Sequence, residues 1–64
     1  MFWIGFREGY IGEYILSEPY STANEALDAR VWYKSNGYNV TIWFVANSRE
    51  EAKIELKKKH ISVL

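Results

Sequence analysis

The chain is predicted to be an α+β domain, in the order β-β-α-β-α with a short terminal β-strand as an optional last element. Three observations carry this. Phe2, Ile4 and Phe6 alternate with Trp3, Gly5 and Arg7, the period of a half-buried strand; residues 38–46 (YNVTIWFVA) are dominated by β-branched and aromatic side chains; and two capping-box patterns, Thr22 with Glu25 and Ser48 with Glu51, announce helices. The expected architecture is an antiparallel sheet of three to four strands, with one main helix on its inner face and a peripheral C-terminal helix. At 64 residues the chain forms one domain, residues 1–64, close to the lower size limit for unaided folding. With no cysteine for a disulfide and no Cys/His ligand set, it must rely on packing, and three Trp, five Tyr and three Phe supply the material.

In the first hairpin, Glu8-Gly9 interrupts the alternation. A tight turn there pairs Arg7 with Tyr10, Phe6 with Ile11, Gly5 with Gly12, Ile4 with Glu13, Trp3 with Tyr14 and Phe2 with Ile15. The inner face then carries Phe2, Ile4, Phe6, Ile11 and Ile15, with Glu13 intruding. Its outer face carries Trp3, Tyr10, Tyr14 and Arg7 around Gly5 and Gly12. Residues 17–21, with Pro19, form a loop.

A first helix is expected over residues 23–35, ended by Asn36-Gly37. Ala23, Ala26, Leu27, Val31 and Tyr33 share one arc of its wheel, while Glu25, Asp28, Ser35 and Trp32 lie opposite. Arg30 and Lys34 fall inside the apolar arc, where their stems can pack, and Glu13 is the expected partner of Arg30. In the following strand Tyr38, Val40, Ile42 and Phe44 are expected to face the helix, leaving Thr41, Trp43 and Val45 on the side of Trp3 and Tyr14. A second helix should reach about Lys59, with a thin stripe of Ala52 and Leu56, Ile54 to one side, and Glu55 paired with Lys59. His60 to Leu64 alternate enough for an edge strand.

Net charge is zero, but unevenly spread. The first 28 residues set Arg7 against five acids and sum to −4, and the rest sum to +4. Neutrality argues against a dedicated nucleic-acid binder, whose affinity comes largely from phosphate neutralisation. The longest apolar runs are far shorter than the roughly 20 residues of a membrane span, and the start MFWIGFREG lacks a signal peptide's basic region, so no membrane partner and a cytoplasmic location are expected.

No enzyme is expected. There is no cysteine nucleophile, His60 is the only histidine and stands in a basic helix end, and Glu50, Glu51 and Glu55 belong to a lysine-rich helix. Gly5, Gly9 and Gly12 sit in a hairpin and not in a phosphate-binding loop. Neither catalytic residue, metal site nor cofactor is assigned. The candidate partner-binding residues are Trp3, Arg7, Tyr10, Tyr14 and Trp43 on the outer sheet face, with Trp32 on the polar side of helix one as a separate signal beside Glu25 and Asp28. The competing arrangement has helix two or the tail covering that face as a second core. A homodimer through it, or the stacking of nucleic-acid bases or glycans on it, are the other uses weighed.

The residues Phe2-Trp3, Asn24-Glu25-Ala26-Leu27, Ala29, Trp32 and Gly37-Tyr38-Asn39-Val40-Thr41 resemble the small phage inhibitors of bacterial RNA polymerase, which also set an EAL helix with a Trp before a glycine and a V-T strand. The strand after Thr41, Ile42-Trp43-Phe44-Val45, lacks the arginines found there in that family, so no binding residues carry over. The resemblance implies a class: phage or mobile-element proteins, anti-CRISPR proteins among them, that block a bacterial protein or ribonucleoprotein complex by steric occlusion. A second likeness, to peptidoglycan-binding sporulation-related repeats, lies in the S-x-x-x-E-A helix, the G-Y-x-V strand and the S-R-E-E-A helix, but the single strand between the helices departs from that pattern.

Overall fold

The computed structural model describes residues 1–63, with side chains as far as Lys58. Its order is β1 (Phe2–Trp3), β2 (Gly5–Glu8), β3 (Ile15–Leu16), α1 (Ala23–Ser35), β4 (Tyr38–Val40), β5 (Phe44–Val45) and α2 (Arg49–Val63). The strands pair antiparallel as a two-stranded sheet, β1-β5, and a three-stranded sheet, β3-β2-β4. The α+β class is as the sequence predicts. The two sheets share one run of chain, because β1 and β2 are separated only by Ile4.

Two one-residue bulges cause the separation. From Phe6↔Val40 to Trp3↔Phe44 the central run advances three residues and its neighbour four, so Ile42 and Trp43 together oppose Ile4. On the other side, from Phe6↔Ile15 to the bridge Phe2↔Tyr20, the central run advances four residues and its neighbour five. Buried hydroxyls repair the ladder at these points. Ser17 Oγ accepts from the Ile4 amide at 2.9 Å and Thr41 Oγ1 accepts from the Gly5 amide at 2.9 Å, while each donates to the carbonyl of its successor, Glu18 or Ile42. A buried amide left without such a partner is costly, which gives Ser17 and Thr41 their place in the interior.

The expected hairpin is corrected. β3 pairs Phe6 with Ile15 and Gly5 with Leu16, four residues displaced from the tight-turn register, and residues 9–14 form a loop. An even displacement preserves which face each side chain takes, so Tyr14 still lies on the Gly5 side. The loop is anchored by Arg7 Nη1 donating to the Gly12 carbonyl at 2.8 Å and by Asn39 Nδ2 donating to the Gly9 carbonyl. Gly9 and Gly12 both take positive φ, which other residues adopt only with strain.

Helix α1 has its expected bounds. The Glu25 amide donates to Thr22 Oγ1, and the Glu25 carboxylate accepts from the Ser21 amide, one residue before the usual partner in a capping box. Gly37 follows the helix at φ 87°, and the Gly37 and Asn36 amides close onto the last carbonyls. The face laid on the sheet is narrower than the expected arc: Ala26 is buried, with Ala23, Ala29, Arg30 and Tyr33 half-buried, whereas Leu27 and Val31 are exposed. Arg30 does not pair with Glu13, which is exposed; its Nε donates to the Thr41 carbonyl at 2.8 Å.

Helix α2 is central, not peripheral. It covers the sheet face opposite α1 and forms the main core from Ala52 and Leu56 with Trp3, Phe44 and Ala46, against which Tyr14 and Leu16 pack. The close approach depends on Gly5. A methyl group there would collide with Leu56 Cδ1 and meet Tyr14 Cβ at 3.2 Å and Thr41 Cγ2 at 3.3 Å. Ser48 caps the helix by accepting from the Glu51 amide. Glu55 pairs with Lys58 at 3.5 Å, one residue before the expected Lys59, whose side chain lies outside the described residues. The helix continues to Val63, so no terminal strand forms over residues 60–63; Leu64 and the His60 side chain lie outside the described residues.

Candidate protein-binding surface

The six candidate residues do not share one face. Trp3 is only 3% exposed, with its indole Nε1 donating to the Ala46 carbonyl at 3.1 Å and the Arg49 guanidinium 5.5 Å from its ring centre. It is a core residue, sealed by α2, and the alternative in which the second helix covers the outer sheet face is the arrangement found. Tyr14 is half-buried on the same face, under the Arg7 guanidinium at 4.5 Å. Arg7 is engaged in turn, by that ring and by the Gly12 carbonyl. These two residues hold the 9–14 loop to the sheet.

Trp43 is 37% exposed, but lies away from Trp3. It packs edge-on against Phe2, ring centres 5.1 Å apart, and Phe2 alternates with Trp3 to the opposite side of the sheet. The bulge at Ile42 and Trp43 is the cause. It shifts the alternation by one, so that Phe44 enters the α2 core in the place expected of Trp43, and Ile42 is exposed in place of facing α1. Tyr38 and Val40, before the bulge, lie on the α1 side as expected, paired with or packed on Phe6. Tyr10 is 83% exposed at the loop tip, next to exposed Ile11.

Trp32 is the candidate with both exposure and support. It is 58% exposed, and its ring meets Tyr33 edge-to-face, centres 5.1 Å apart and planes at 89°. Tyr33 stacks on Phe6 at 4.2 Å and 14°, and Tyr38 stands edge-on to both, at 5.4 and 5.7 Å. Four rings thus run outward from the sheet to Trp32. Exposed Ile15 lies on this face, as the cross-strand partner of Phe6. Tyr20 is close as well: burial pushes its phenol above the ordinary 10.0, with the neighbouring Tyr33 and Glu18 adding in the same direction and a hydrogen bond with Ser17 opposing.

The charges on this side are acidic. Glu25, Asp28 and Trp32 share the outward face of α1, while Arg30 and Lys34 lie on the other flank, Arg30 turned to Thr41. Among the described residues no group of three or more His, Cys, Asp or Glu is arranged to hold a metal ion, and no helix is long and apolar enough to cross a membrane. No family model matches the chain, and no curated protein and no solved structure matches it significantly. The likeness to phage polymerase inhibitors is therefore carried by the residues quoted for it alone.

Sequence reasoning singled out Trp32 but missed what supports it. The signal was present in Phe6, Tyr33 and Tyr38, each assigned to the inner face individually, and only the fold stacks them into one ridge.

Proposed function

We propose that the chain is a non-enzymatic protein-binding module that acts by covering a surface of its partner, with Trp32 at the centre of the contact. The observation that supports this is the Trp32 ridge. A large aromatic side chain is held out to solvent by a stack of rings that restricts its motion, and such anchors dominate protein interfaces because little entropy is lost when they are buried. Exposed Ile15, on the same side of the sheet as Phe6, adds apolar surface, and the acids of the N-terminal half would steer encounter with a basic partner.

The finer reading is an inhibitor of a bacterial host or defence complex, of the RNA polymerase-inhibitor or anti-CRISPR kind. It is supported by the resemblance in residues 24–41 and by the small size of the chain. Steric occlusion through Trp3, Tyr14 and Trp43 is withdrawn, since those residues are buried, half-buried or on the opposite side of the sheet. Base or glycan stacking on that face, and a homodimer through it, are withdrawn on the same ground. The exposed strand edge at Val45 is a weaker surface, because the adjacent bulge distorts the regular array of backbone groups that strand pairing requires.

The test is affinity capture from bacterial lysate with the tagged chain and its Trp32→Ala and Trp43→Ala variants, read by mass spectrometry. The expected result is a stoichiometric partner retained by wild type and Trp43→Ala and lost by Trp32→Ala while that variant still melts cooperatively. Retention of the same partner by Trp32→Ala would remove the assignment.

A further inference from the structure

We propose that the Trp32 face receives an arginine side chain of the partner, with the guanidinium over the indole and its N–H edge on Asp28; this rests on the protein-binding reading and names the chemistry it recognises. The first ground is a comparison within the molecule. Among the described residues two aromatic rings are covered by arginines of the chain, Tyr14 by Arg7 at 4.5 Å and Trp3 by Arg49 at 5.5 Å. Among the described residues Trp32 has no such cover, and Tyr33 meets it perpendicularly, so at least one indole face is left open by them. Trp is the strongest aromatic partner for a cation.

Charge supplies the second ground. Asp28 precedes Trp32 by one helical turn, which places the two side chains next to each other. Among the described residues the Asp28 carboxylate has neither a hydrogen bond nor an ion pair, and the same holds for that of Glu18, near Tyr20. Glu25 shares the Asp28 face, and among the described residues its carboxylate is satisfied only by the Ser21 amide. The cations of α1 cannot compensate, because Arg30 is committed to Thr41 and Lys34 stands on that same flank. Among the described residues the face is therefore an acidic, aromatic surface with no cation paired to it. A planar guanidinium can stack on the ring and donate to the carboxylate at once; an ammonium, strongly hydrated and not planar, does one or the other.

The experiment is an amide and indole NMR titration of the intact chain with N-acetyl-arginine methylamide, with the lysine and norleucine analogues as comparators. The Trp32 indole N–H should shift saturably with the arginine compound, at least about threefold more weakly with lysine, and not with norleucine. The response should fall on adding salt and be lost in Asp28→Asn, a variant whose melting temperature should stay near wild type. With a captured partner in hand, Asp28→Asn should weaken binding by about tenfold, and substitution of one partner arginine should do the same. An equal response to all three compounds, no response at all, or preference for a single-stranded oligonucleotide at the Trp32 signal would overturn the proposal. Loss of the partner in Trp32→Ala but unchanged binding in Asp28→Asn would overturn it while leaving the protein-binding reading intact.

Discussion

The two faces of the sheet dispose of their aromatic residues in opposite ways. Among the described residues helix α2 buries two side chains against its face, Ala52 and Leu56, with Arg49 over the Trp3 ring, and this seals Trp3 and Phe44 completely enough to make the main core. Helix α1 meets the other face with alanines at positions 23, 26 and 29 and with half-buried Arg30 and Tyr33, while Leu27, Val31 and Trp32 remain outside. The difference lies in where the small residue sits. On the α2 side the gap is in the sheet, at Gly5, and a large helix side chain fills it. On the α1 side the small residues are in the helix, so the backbones approach and the large rings are displaced to the margin, where they stack on each other. Ring count alone does not decide how much aromatic surface is exposed; the location of the small residues does.

This comparison breaks most sharply at Trp3. Trp3→Ala should destabilise the fold by about 3–5 kcal/mol, a large part of what so small a domain possesses, and urea unfolding followed by far-UV circular dichroism should show little cooperative transition. Gly5→Ala tests the origin of the seal. Overpacking against Leu56 should cost about 1–3 kcal/mol, and the loss should couple non-additively with Leu56→Val, since the smaller side chain makes room for the new methyl.

How much of this was legible in the sequence depends on whether the signal was local. Thr22 with Glu25 and Asn36-Gly37 fix α1 through hydrogen bonds made within one or two turns, and the helix lies where they place it. Ser48 likewise fixes the start of α2. Glu8-Gly9 does end β2 in a turn, but the two-residue hairpin and its register failed because Arg7 and Asn39 hold a longer loop by contacts that no short window contains. The alternation in residues 38–46 is real on both sides of the bulge, but a one-residue insertion reverses its meaning after Thr41, which is why Trp43 and Phe44 exchange faces. The thin stripe of α2 suggested a peripheral helix; its depth comes from Gly5, more than forty residues earlier.

Smaller effects sharpen the account. Thr41→Val keeps the shape of the side chain but leaves the buried Gly5 amide without its acceptor, which should cost about 1–3 kcal/mol in the same unfolding experiment. On the other face, Trp32→Ala should change stability by no more than about 1 kcal/mol, because the ring is largely exposed and loses chiefly its contact with Tyr33. The smallest expected effect is a pH dependence from Tyr20. Its phenol titrates above 10.0 in the folded chain, so its contribution is fully present below the unfolded value near 10 and is lost as pH rises through the folded value. A melting temperature that falls as pH rises from about 10 toward the higher folded value, and falls less in Tyr20→Phe, is the expected observation.

The most direct test is hydrogen exchange at the three indole N–H groups, resolved by nitrogen-15 NMR and assigned with single Trp→Phe variants. The Trp3 signal, buried and bonded to the Ala46 carbonyl, should persist long after transfer to heavy water, whereas those of Trp32 and Trp43 should vanish at once. A Trp3 signal lost as fast as the others, or a Trp32 signal protected in the isolated chain, would contradict the division of the molecule into a sealed face and an open one.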